Sequence, residues 1–252
     1  MDNKPIELEY SDNIAVLRIN RPFVHNAVNN KLMDLWEIHL DEIENNPCIR
    51  SIIITGAGPK TFCAGGDLKY FASLKTEKAC IDMSKKMQSI NNRLYTGKRV
   101  VIAAINGQAF GGGCEILTAC HFRLGVPHAT FAFKQAPNGI ITGWGGCNRL
   151  IKLIGKSSAL RLLLTGEQIN AEEAMDMGLI DQIVEHEDLM PEAETLAKKI
   201  NENYKGSIEA FLKMAEMSDS ASDEDIEKYE SETLVRLFLG EYFQKIAQSY
   251  LK

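Results

Sequence analysis

Two glycine-rich loops, each following a short run of apolar residues, restrict most strongly how this chain can fold. The run at 51–55 (SIIIT) leads into GAGPKTFCAGGD, and the run at 100–105 (VVIAAI) leads into NGQAFGGG. Apolar runs of this length, rich in β-branched residues, are typical of buried strands. Glycine in the turn that follows permits unusual backbone dihedrals and close approach to the backbone. The sequence therefore predicts two strand exits whose backbone N–H groups are open to a ligand.

Helical patterns alternate with these strands. Apolar residues recur at three- and four-residue steps from Asn30 onward and again over 83–94, which is the spacing of one helix face. A further apolar run lies at 14–19 (IAVLRI), and short strand patterns lie at 122–126 and 129–133. Strands that alternate with helices predict an α/β fold with helices covering the sheets.

The C-terminal part of the chain has a different pattern. After a third glycine-rich turn at 139–146 the periodicity is helical, and no strand pattern occurs beyond residue 190. The polar stretch 218–225 (SDSASDED) is expected to be a loop within this part. We expect residues 1–190 to form the core that carries the site, and residues 191–252 to form a helical region of the same structural unit.

Composition and charge exclude several classes of protein. The 252 residues are 45% hydrophobic and 25% charged, which is ordinary for a globular chain. Their net charge of −6 opposes the basic surface that nucleic-acid binding requires. No apolar run reaches the roughly 18 residues of a membrane span, and no secretory signal is recognisable. We therefore expect a cytoplasmic protein without nucleic-acid or membrane partners. Six cysteines and five histidines without ligand spacing predict reduced thiols and no metal site.

The two strand exits suggest a site for one oxygen atom. The glycine-containing segments 64–66 and 111–113 could each offer a backbone N–H, and two such donors on one oxygen form an oxyanion hole. Neither loop has the spacing of a P-loop or of the dinucleotide-binding fingerprint. The glycines at 111–113 could instead allow a helix to pack closely against a sheet, and both interpretations stay open.

Glu115 is the candidate proton carrier. It follows the second loop in GGGCEILTAC, where its neighbours are small or apolar. Desolvation raises the pKa of a carboxyl group, which suits proton transfer near neutral pH. The alternative is an acid in the first turn of a helix, stabilised by the helix dipole.

Other polar and aromatic residues near the loops have simpler interpretations. Asp67 stands at the start of a predicted helix, where an N-cap is favoured over catalysis. Phe62 and Trp144 are more typical of a core than of a substrate wall. His25 lies in the loop after the first apolar run, where a functional role is the less favoured interpretation.

Several ordered motifs give the chain a recognisable pattern. They are NRP at 20–22 with NA at 26–27, FCAGGDLK at 62–69, AINGQAFGGGCE at 104–115 and GWGG at 143–146. This pattern resembles the crotonase superfamily, the enoyl-CoA hydratase/isomerase family, from about residue 7 onward. The resemblance implies a spiral of ββα units with a helical C-terminal region that assembles trimers, or hexamers made of two trimers.

The resemblance also implies the substrate and the site. The substrate would be a coenzyme A thioester, so coenzyme A would enter with the substrate and no separate cofactor is expected. The N–H groups of Ala64 and Gly112 would hold the thioester carbonyl, and Glu115 would handle the proton. Substrate contacts would come from Val24, His25, Ala27, Phe62, Gly65, Gly66, Asp67, Leu68, Gly111 and Trp144.

Gln135 departs from the family's pattern. Hydratases of the family carry a second glutamate at the position that the spacing to Gly145 and Gly146 gives to Gln135. A carboxamide cannot exchange a proton, so hydration should be impaired, although an amide can still orient a water molecule. Double-bond isomerisation needs only one carboxylate, but many isomerases keep the acid that this chain lacks.

Decarboxylation of a malonyl-type acyl-CoA, such as methylmalonyl- or ethylmalonyl-CoA, is the other candidate reaction. Loss of CO₂ makes the enolate without a base. The segments 118–123 and 134–146 resemble the branch of the superfamily that includes ethylmalonyl-CoA decarboxylases.

A catalytically silent CoA-binding or interaction protein, of the RNA-associated kind, is the alternative from another class. Glu115 argues against silence, and the acidic net charge argues against RNA.

Overall fold

The computed structural model describes residues 4–251, and the chain divides into two compact units between Lys198 and Lys199. Ten strands occur in the order β1 (Ile6–Ser11), β2 (Ile14–Ile19), β3 (Ser51–Gly56), β4 (Thr61–Cys63), β5 (Val100–Ile105), β6 (Gln108–Phe110), β7 (Phe122–Gly125), β8 (Thr130–Ala132), β9 (Ile169–Asn170) and β10 (Gln182–Ile183).

Helices connect and follow these strands. They are α1 (Asn30–Asn45), α2 (Leu68–Ser73), α3 (Glu77–Thr96), α4 (Gly112–Leu117), α5 (Gly146–Ile154), α6 (Lys156–Thr165), α7 (Ala171–Asp176), α8 (Leu189–Asn201), α9 (Lys205–Met217), α10 (Asp223–Phe238) and α11 (Glu241–Ser249), with 3₁₀ turns at Pro22–Val24 and Ala136–Asn138. Within residues 4–251, none of the helices combines the length and the apolar composition that a membrane span needs.

Two sheets organise the first unit. The larger has the strand order β1-β2-β3-β5-β7-β10, in which β1 is antiparallel to β2 and the other neighbours are parallel. The smaller has the order β4-β6-β8-β9, with β9 antiparallel. Every residue of β3 and of β5 is buried, as expected for central parallel strands that are covered on both faces.

A repeated ββα unit links the two sheets. A strand of the larger sheet passes into a strand of the smaller sheet and then into a helix in β3-β4-α2, in β5-β6-α4 and in β7-β8-α5. The two predicted glycine-rich loops are the β3-to-α2 and β5-to-α4 connections of this repeat. The predicted α/β spiral is therefore confirmed, and it brings the two loops to adjacent places in the smaller sheet, because β4 pairs with β6.

Three local features differ from the sequence predictions. Strand β1, which pairs with all six residues of β2, has no counterpart among the predicted strands. Strands β9 and β10 have two residues each and exist through their pairing with β8 and β7. The acidic residues 223–225, predicted to lie in a loop, form the first turn of α10, because Ser222 caps it and acids are favourable at a helix N-terminus.

The second unit contains α9, α10 and α11. Together they line a groove of about 350 Å³ whose wall is mostly apolar. Several of its side chains are exposed, including Phe211 at 70% and Leu234 at 61%.

Asn26 fixes the loop between β2 and α1. Its backbone has a positive φ of 56°, and its side chain is fully buried. The Nδ2 atom donates to the carbonyl oxygens of Ala57 (3.1 Å) and Thr61 (2.6 Å), while Oδ1 accepts from the N–H of Arg21 at 3.0 Å. One amide therefore ties the loop to the β3–β4 connection.

Replacing Asn26 should destabilise the first unit. In Asn26→Ala the three partners lose their hydrogen bonds in a buried place, and an alanine must adopt the left-handed conformation, so we expect a loss of about 3 kcal/mol in the free energy of unfolding. Chemical denaturation measures it. Asn30→Ala is the matched control, because the Asn30 amide donates to Asp34 at the exposed surface. Equal losses in the two variants would contradict this role of Asn26.

Candidate active site

Glu115 lies in the first turn of α4, directly behind the second glycine-rich loop. Gly111 precedes the helix with φ 52° and ψ −116°, a conformation that suits glycine. A Cβ on Gly113 would lie 2.0 Å from the carbonyl oxygen of Cys63. The glycines thus serve close packing of α4 on β4, and this packing leaves the Glu115 side chain only 2% exposed.

Four hydrogen-bond donors surround the Glu115 carboxylate. Oε1 accepts from Nε2 of Gln135 at 3.0 Å and from the N–H of Gly143 at 3.4 Å. Oε2 accepts from the N–H of Trp144 at 2.8 Å and of Gly146 at 2.9 Å. The glycine-rich turn at 143–146 therefore closes over the carboxylate, and a Cβ on Gly146 would lie 2.5 Å from Cγ of Glu115.

Two opposing effects set the protonation of Glu115. Burial raises the pKa of this carboxyl group, and the N–H groups of Gly146 and Trp144, with the Gln135 amide, counteract part of that rise. The pKa remains above its ordinary value. A raised pKa in a closed site is what a proton carrier requires.

Gln135 lies beside Glu115, where the spacing of the sequence motifs put it. It follows β8 and is 7% exposed, and its Nε2 donates a hydrogen bond to Oε1 of the Glu115 carboxylate. Its Oε1 is buried and has no hydrogen-bond partner among the residues that the structure describes. The site therefore contains one titratable carboxyl group and one carboxamide with an unused acceptor.

Each strand exit supplies a free backbone donor, but in the first loop it is not the predicted residue. The N–H of Ala64 donates to the carbonyl oxygen of His25 at 3.0 Å, so it is not available to a ligand. Within residues 4–251, no acceptor lies within hydrogen-bond distance of the N–H groups of Gly66 and Gly112. The prediction that the N–H of Ala64 is a free donor is therefore wrong, and in the same loop it is Gly66 that has a free N–H.

Gly65 brings the two loops together. Its φ is 89°, and a Cβ there would lie 2.8 Å from the backbone nitrogen of Gly112. Any side chain at position 65 would consequently fill the space beside that N–H group. The free donors of Gly66 and Gly112 belong to two loops in direct contact, next to the helix that carries Glu115.

Trp144 forms a wall beside Gly112. Its side chain is 3% exposed, and a Cβ on Gly112 would lie 2.2 Å from Cζ3 of the indole ring. The indole Nε1 donates to Sδ of Met83 on α3 at 3.4 Å. Trp144 is therefore both a core residue and the side chain nearest to the Gly112 backbone.

The remaining predicted residues occupy structural or surface positions. Asp67 caps α2 through the N–H groups of Lys69 and Tyr70 and pairs with Arg21 at 2.9 Å. Burial alone would raise the pKa of Asp67, but Arg21 and the N–H donors outweigh it and hold the pKa below its ordinary value. The others divide by exposure: Phe62 and Ala27 are buried, whereas Val24, His25 and Leu68 are exposed.

Arg149 and Asn91 contact this site although neither was among the predicted site residues. Both are buried, and both donate to the carbonyl oxygen of Trp144, at 2.7 Å from Nη2 of Arg149 and 3.1 Å from Nδ2 of Asn91. An arginine or asparagine within a helical pattern is usually exposed, so only the fold shows that these two are buried beside the 143–146 turn.

In residues 4–251 no cluster of His, Cys, Asp and Glu is arranged for a metal ion.

Comparison with known proteins assigns the chain to a family. The model of the enoyl-CoA hydratase/isomerase family matches residues 9–251. The chain therefore belongs to this family of the crotonase superfamily, whose members process acyl-CoA thioesters.

Individual relatives agree with this assignment. A crotonyl-CoA hydratase of Syntrophomonas wolfei is 36% identical over 77% of this chain and 75% of its own length. A probable enoyl-CoA hydratase of Bacillus subtilis is 32% identical over 98% of this chain and 95% of its own. The crystal structure of an enoyl-CoA hydratase from Bacillus anthracis superposes with a TM-score of 0.92 at 28% identity, covering 98% of this chain and 95% of the other.

The raised pKa of Glu115 predicts how stability depends on pH. A carboxyl group whose pKa is higher in the folded state contributes stability that is complete below the unfolded-state pKa and is lost as the pH rises through the folded-state pKa. The unfolding free energy of the wild type minus that of Glu115→Gln should therefore fall as the pH rises from acid to neutral. Denaturant titrations at a series of pH values measure it.

Asp67→Asn is the control of opposite sign. The pKa of Asp67 is lowered in the fold, so its contribution is present above the unfolded-state pKa and is lost as the pH falls. A Glu115→Gln difference that follows the same pH direction as Asp67→Asn would contradict the raised pKa of Glu115.

Proposed function

We propose that this protein stabilises the enolate of an acyl-CoA thioester, with the N–H groups of Gly66 and Gly112 as oxyanion donors and Glu115 as the proton carrier. The observation that carries the proposal is the pair of unpaired N–H groups on two touching loops, beside a buried carboxyl group. Donors aimed at a developing oxyanion contribute a large part of catalysis, and loss of one such donor costs about 10² to 10³ in rate. No separate cofactor enters this scheme.

The hydrogen bonds of Glu115 indicate which oxygen takes the proton. Oε2 holds two short bonds to backbone N–H groups, which cannot move away. Oε1 accepts one hydrogen bond from a side chain and one long hydrogen bond from the N–H of Gly143. A proton on Oε1 therefore disrupts weaker or more adaptable hydrogen bonds than a proton on Oε2 would. Rotation of the Gln135 amide by half a turn would then offer its unused Oε1 to the new O–H group. Gln135 can thus pair with either protonation state of Glu115 without exchanging a proton itself.

A single proton carrier favours reactions in which one group takes and returns one proton. In the hydratase/isomerase type of reaction, Glu115 would move that proton while Gln135 orients a water molecule or the substrate. The printed names of the relatives at 32–38% identity, among them a crotonyl-CoA hydratase, support this type of reaction as the first candidate.

Decarboxylation is the second candidate, and the saturation of Glu115 favours it. Four donors occupy the acceptor sites of the carboxylate, which makes it a poor base for abstracting a proton from carbon. Loss of CO₂ from a malonyl-type thioester needs no base, because the electron pair of the broken C–C bond forms the enolate. Glu115, protonated from water, would then donate its proton to the α carbon and would be protonated again by water before the next turnover.

Exposed residues at the entrance of the first loop suit the coenzyme. Val24 (39% exposed), His25 and Leu68 (78% exposed) flank the β4-to-α2 connection that carries Gly66. We assign the coenzyme A moiety to this rim, where apolar side chains and backbone groups are open. Asp67 and Arg21 neutralise each other there, so Asp67 holds the loop rather than the ligand.

Turnover of a substrate panel tests the proposed function. The purified protein is incubated with crotonyl-CoA, a 3-enoyl-CoA, methylmalonyl-CoA and ethylmalonyl-CoA, and each reaction is followed by mass. We expect at least one thioester to react, and Glu115→Gln to lower kcat/KM by about 10² to 10⁴.

Gln135→Glu is the companion variant: it introduces a second acid, so hydration should rise. Loss of CO₂ without hydration selects the decarboxylase, and turnover that survives Glu115→Gln refutes the proton carrier.

We also propose that the second unit assembles copies of this chain into trimers or pairs of trimers, as the family resemblance implies. Phe211 on α9, Leu234 on α10 and Leu239 directly after α10 are 61–70% exposed, and exposed apolar side chains of this kind mark an interaction surface. Light scattering at micromolar protein should give the mass of three or six chains, and Phe211→Glu should lower it. Ile38→Glu, at an exposed apolar position of α1, is the control. A monomeric wild type would refute the assembly.

A further inference from the structure

We propose that Arg149 is the positioning residue of this site: it holds the 143–146 turn over Glu115, and its positive charge favours the carboxylate form of Glu115. The inference rests on the proposed function only in taking Glu115 as the proton carrier. Arg149 touches neither of the free backbone donors and acts through the turn and through its charge.

The guanidinium group is buried and is held by three neutral acceptors. Arg149, on α5, is 7% exposed. Its Nη2 donates to the carbonyl oxygen of Trp144 at 2.7 Å, Nη1 to Oδ1 of Asn92 at 3.1 Å, and Nε to Oγ1 of Thr118 at 3.3 Å. A buried cation with only neutral acceptors is costly, so its place in the fold needs a compensating anion.

Two of these acceptors connect Arg149 to Glu115. The carbonyl oxygen of Trp144 accepts a hydrogen bond from the guanidinium, and the N–H of Trp144 donates one to Oε2 of Glu115. Thr118 accepts from Arg149 and donates its hydroxyl to the carbonyl oxygen of Glu115 at 2.7 Å. Arg149 therefore braces both the turn that binds the carboxylate and the helix from which the carboxylate extends.

The turn is built around the guanidinium. Gly145 has a φ of 82°, and a Cβ there would lie 3.1 Å from both terminal nitrogens of Arg149. The glycine thus permits the Trp144 carbonyl to face the guanidinium while the N–H groups of Trp144 and Gly146 face Glu115. Without the cation, the Trp144 carbonyl would keep only the Asn91 amide as a partner.

Arg149 and Glu115 are buried groups of opposite charge that interact with each other. No carboxylate among the described residues lies within 4.0 Å of the guanidinium. Burial lowers the pKa of Arg149, and the negative charge of Glu115 counteracts part of that effect. Because an interaction between two charges is reciprocal, Arg149 stabilises the Glu115 carboxylate by the same interaction.

The thiols near this pair are neutral. Cys114 on α4 interacts with the charge of Glu115, and Cys63 on β4 interacts with Cys114. Cys120 lies near Arg149 and near Arg123, a second buried cation that is paired with Asp181. Burial raises the pKa of Cys63 and of Cys120 to about 12 and that of Cys114 as well. The Arg149 guanidinium lies 5.9 Å from the centre of the Tyr95 ring. Arg149 is thus a cation whose charge interacts with that of Glu115, whereas Arg123 is paired with Asp181.

A fluorescence titration tests this inference without substrate. Tryptophan emission is followed against pH, because Trp144 is bonded to Glu115 through its N–H; the transition that Glu115→Gln abolishes reports Glu115, and Trp36 gives the background. Arg149→Gln keeps a donor but loses the charge, and should raise the midpoint above that of the wild type. Arg149→Lys keeps the charge and should raise it less. Arg149→Met is a second neutral variant if Arg149→Gln folds poorly by circular dichroism.

The outcomes separate this inference from the proposed function. A midpoint that stays unchanged in the folded neutral variant overturns the role of Arg149, whatever the enzyme activity. A shifted midpoint in a protein that turns over no thioester supports the role of Arg149 and refutes the proposed function. With an active substrate, the limb of the pH profile of kcat that reports Glu115 should move by the same amount as the fluorescence midpoint: the acid limb if Glu115 acts as a base, the alkaline limb if it acts as an acid. A structural role alone would lower stability and leave both midpoints in place.

Discussion

The buried carboxylate of Glu115 is the group on which the arrangement of this site depends. An ionised carboxyl group at 2% exposure costs several kcal/mol in desolvation unless donors replace the lost water. Here three backbone N–H groups and one side-chain amide supply them. The backbone donors come from one turn that needs glycine at 145, where φ is 82°, and at 146, where a Cβ would lie 2.5 Å from Cγ of Glu115. This third glycine-rich segment thus solvates the buried acid. The glycines of the first two segments let the two loops and α4 pack closely, and the N–H groups of Gly66 and Gly112 there have no acceptor among the described residues.

The sequence predicted the outline of the fold because that outline follows local patterns. Continuous apolar runs identified β3 and β5, and helical periodicity identified α1 and α3. Strand β1 alternates apolar and polar residues (IELEYS), a weaker signal that belongs to an edge strand. Strands β9 and β10, with two residues each, depend on partners far along the chain. No local pattern encodes such pairings, so they could not be predicted.

The site shows the same limit at the level of single atoms. Apolar flanking residues and three glycines indicated Glu115, and motif spacing put Gln135 beside it. The choice between Ala64 and Gly66 depended instead on a carbonyl group of His25, which lies about 40 residues earlier in the chain and takes the N–H of Ala64. The burial of Arg149 depended on the path of the 143–146 turn. Both facts are tertiary, because each concerns which partner a group finds after the chain has folded.

The carboxamide of Gln135 sets how many negative charges the site contains. A glutamate there would put a second carboxyl group within hydrogen-bond distance of the first, and two like charges so close cannot both ionise in a buried site. The carboxamide avoids that repulsion and donates to Glu115, so the single charge of Arg149 matches the single charge of the carboxylate. Exchanging one acid for an amide therefore changes the charge balance of the whole site as well as the number of proton carriers. The proposed reaction, enolate formation with one proton in play, suits this balance of one cation and one carboxylate.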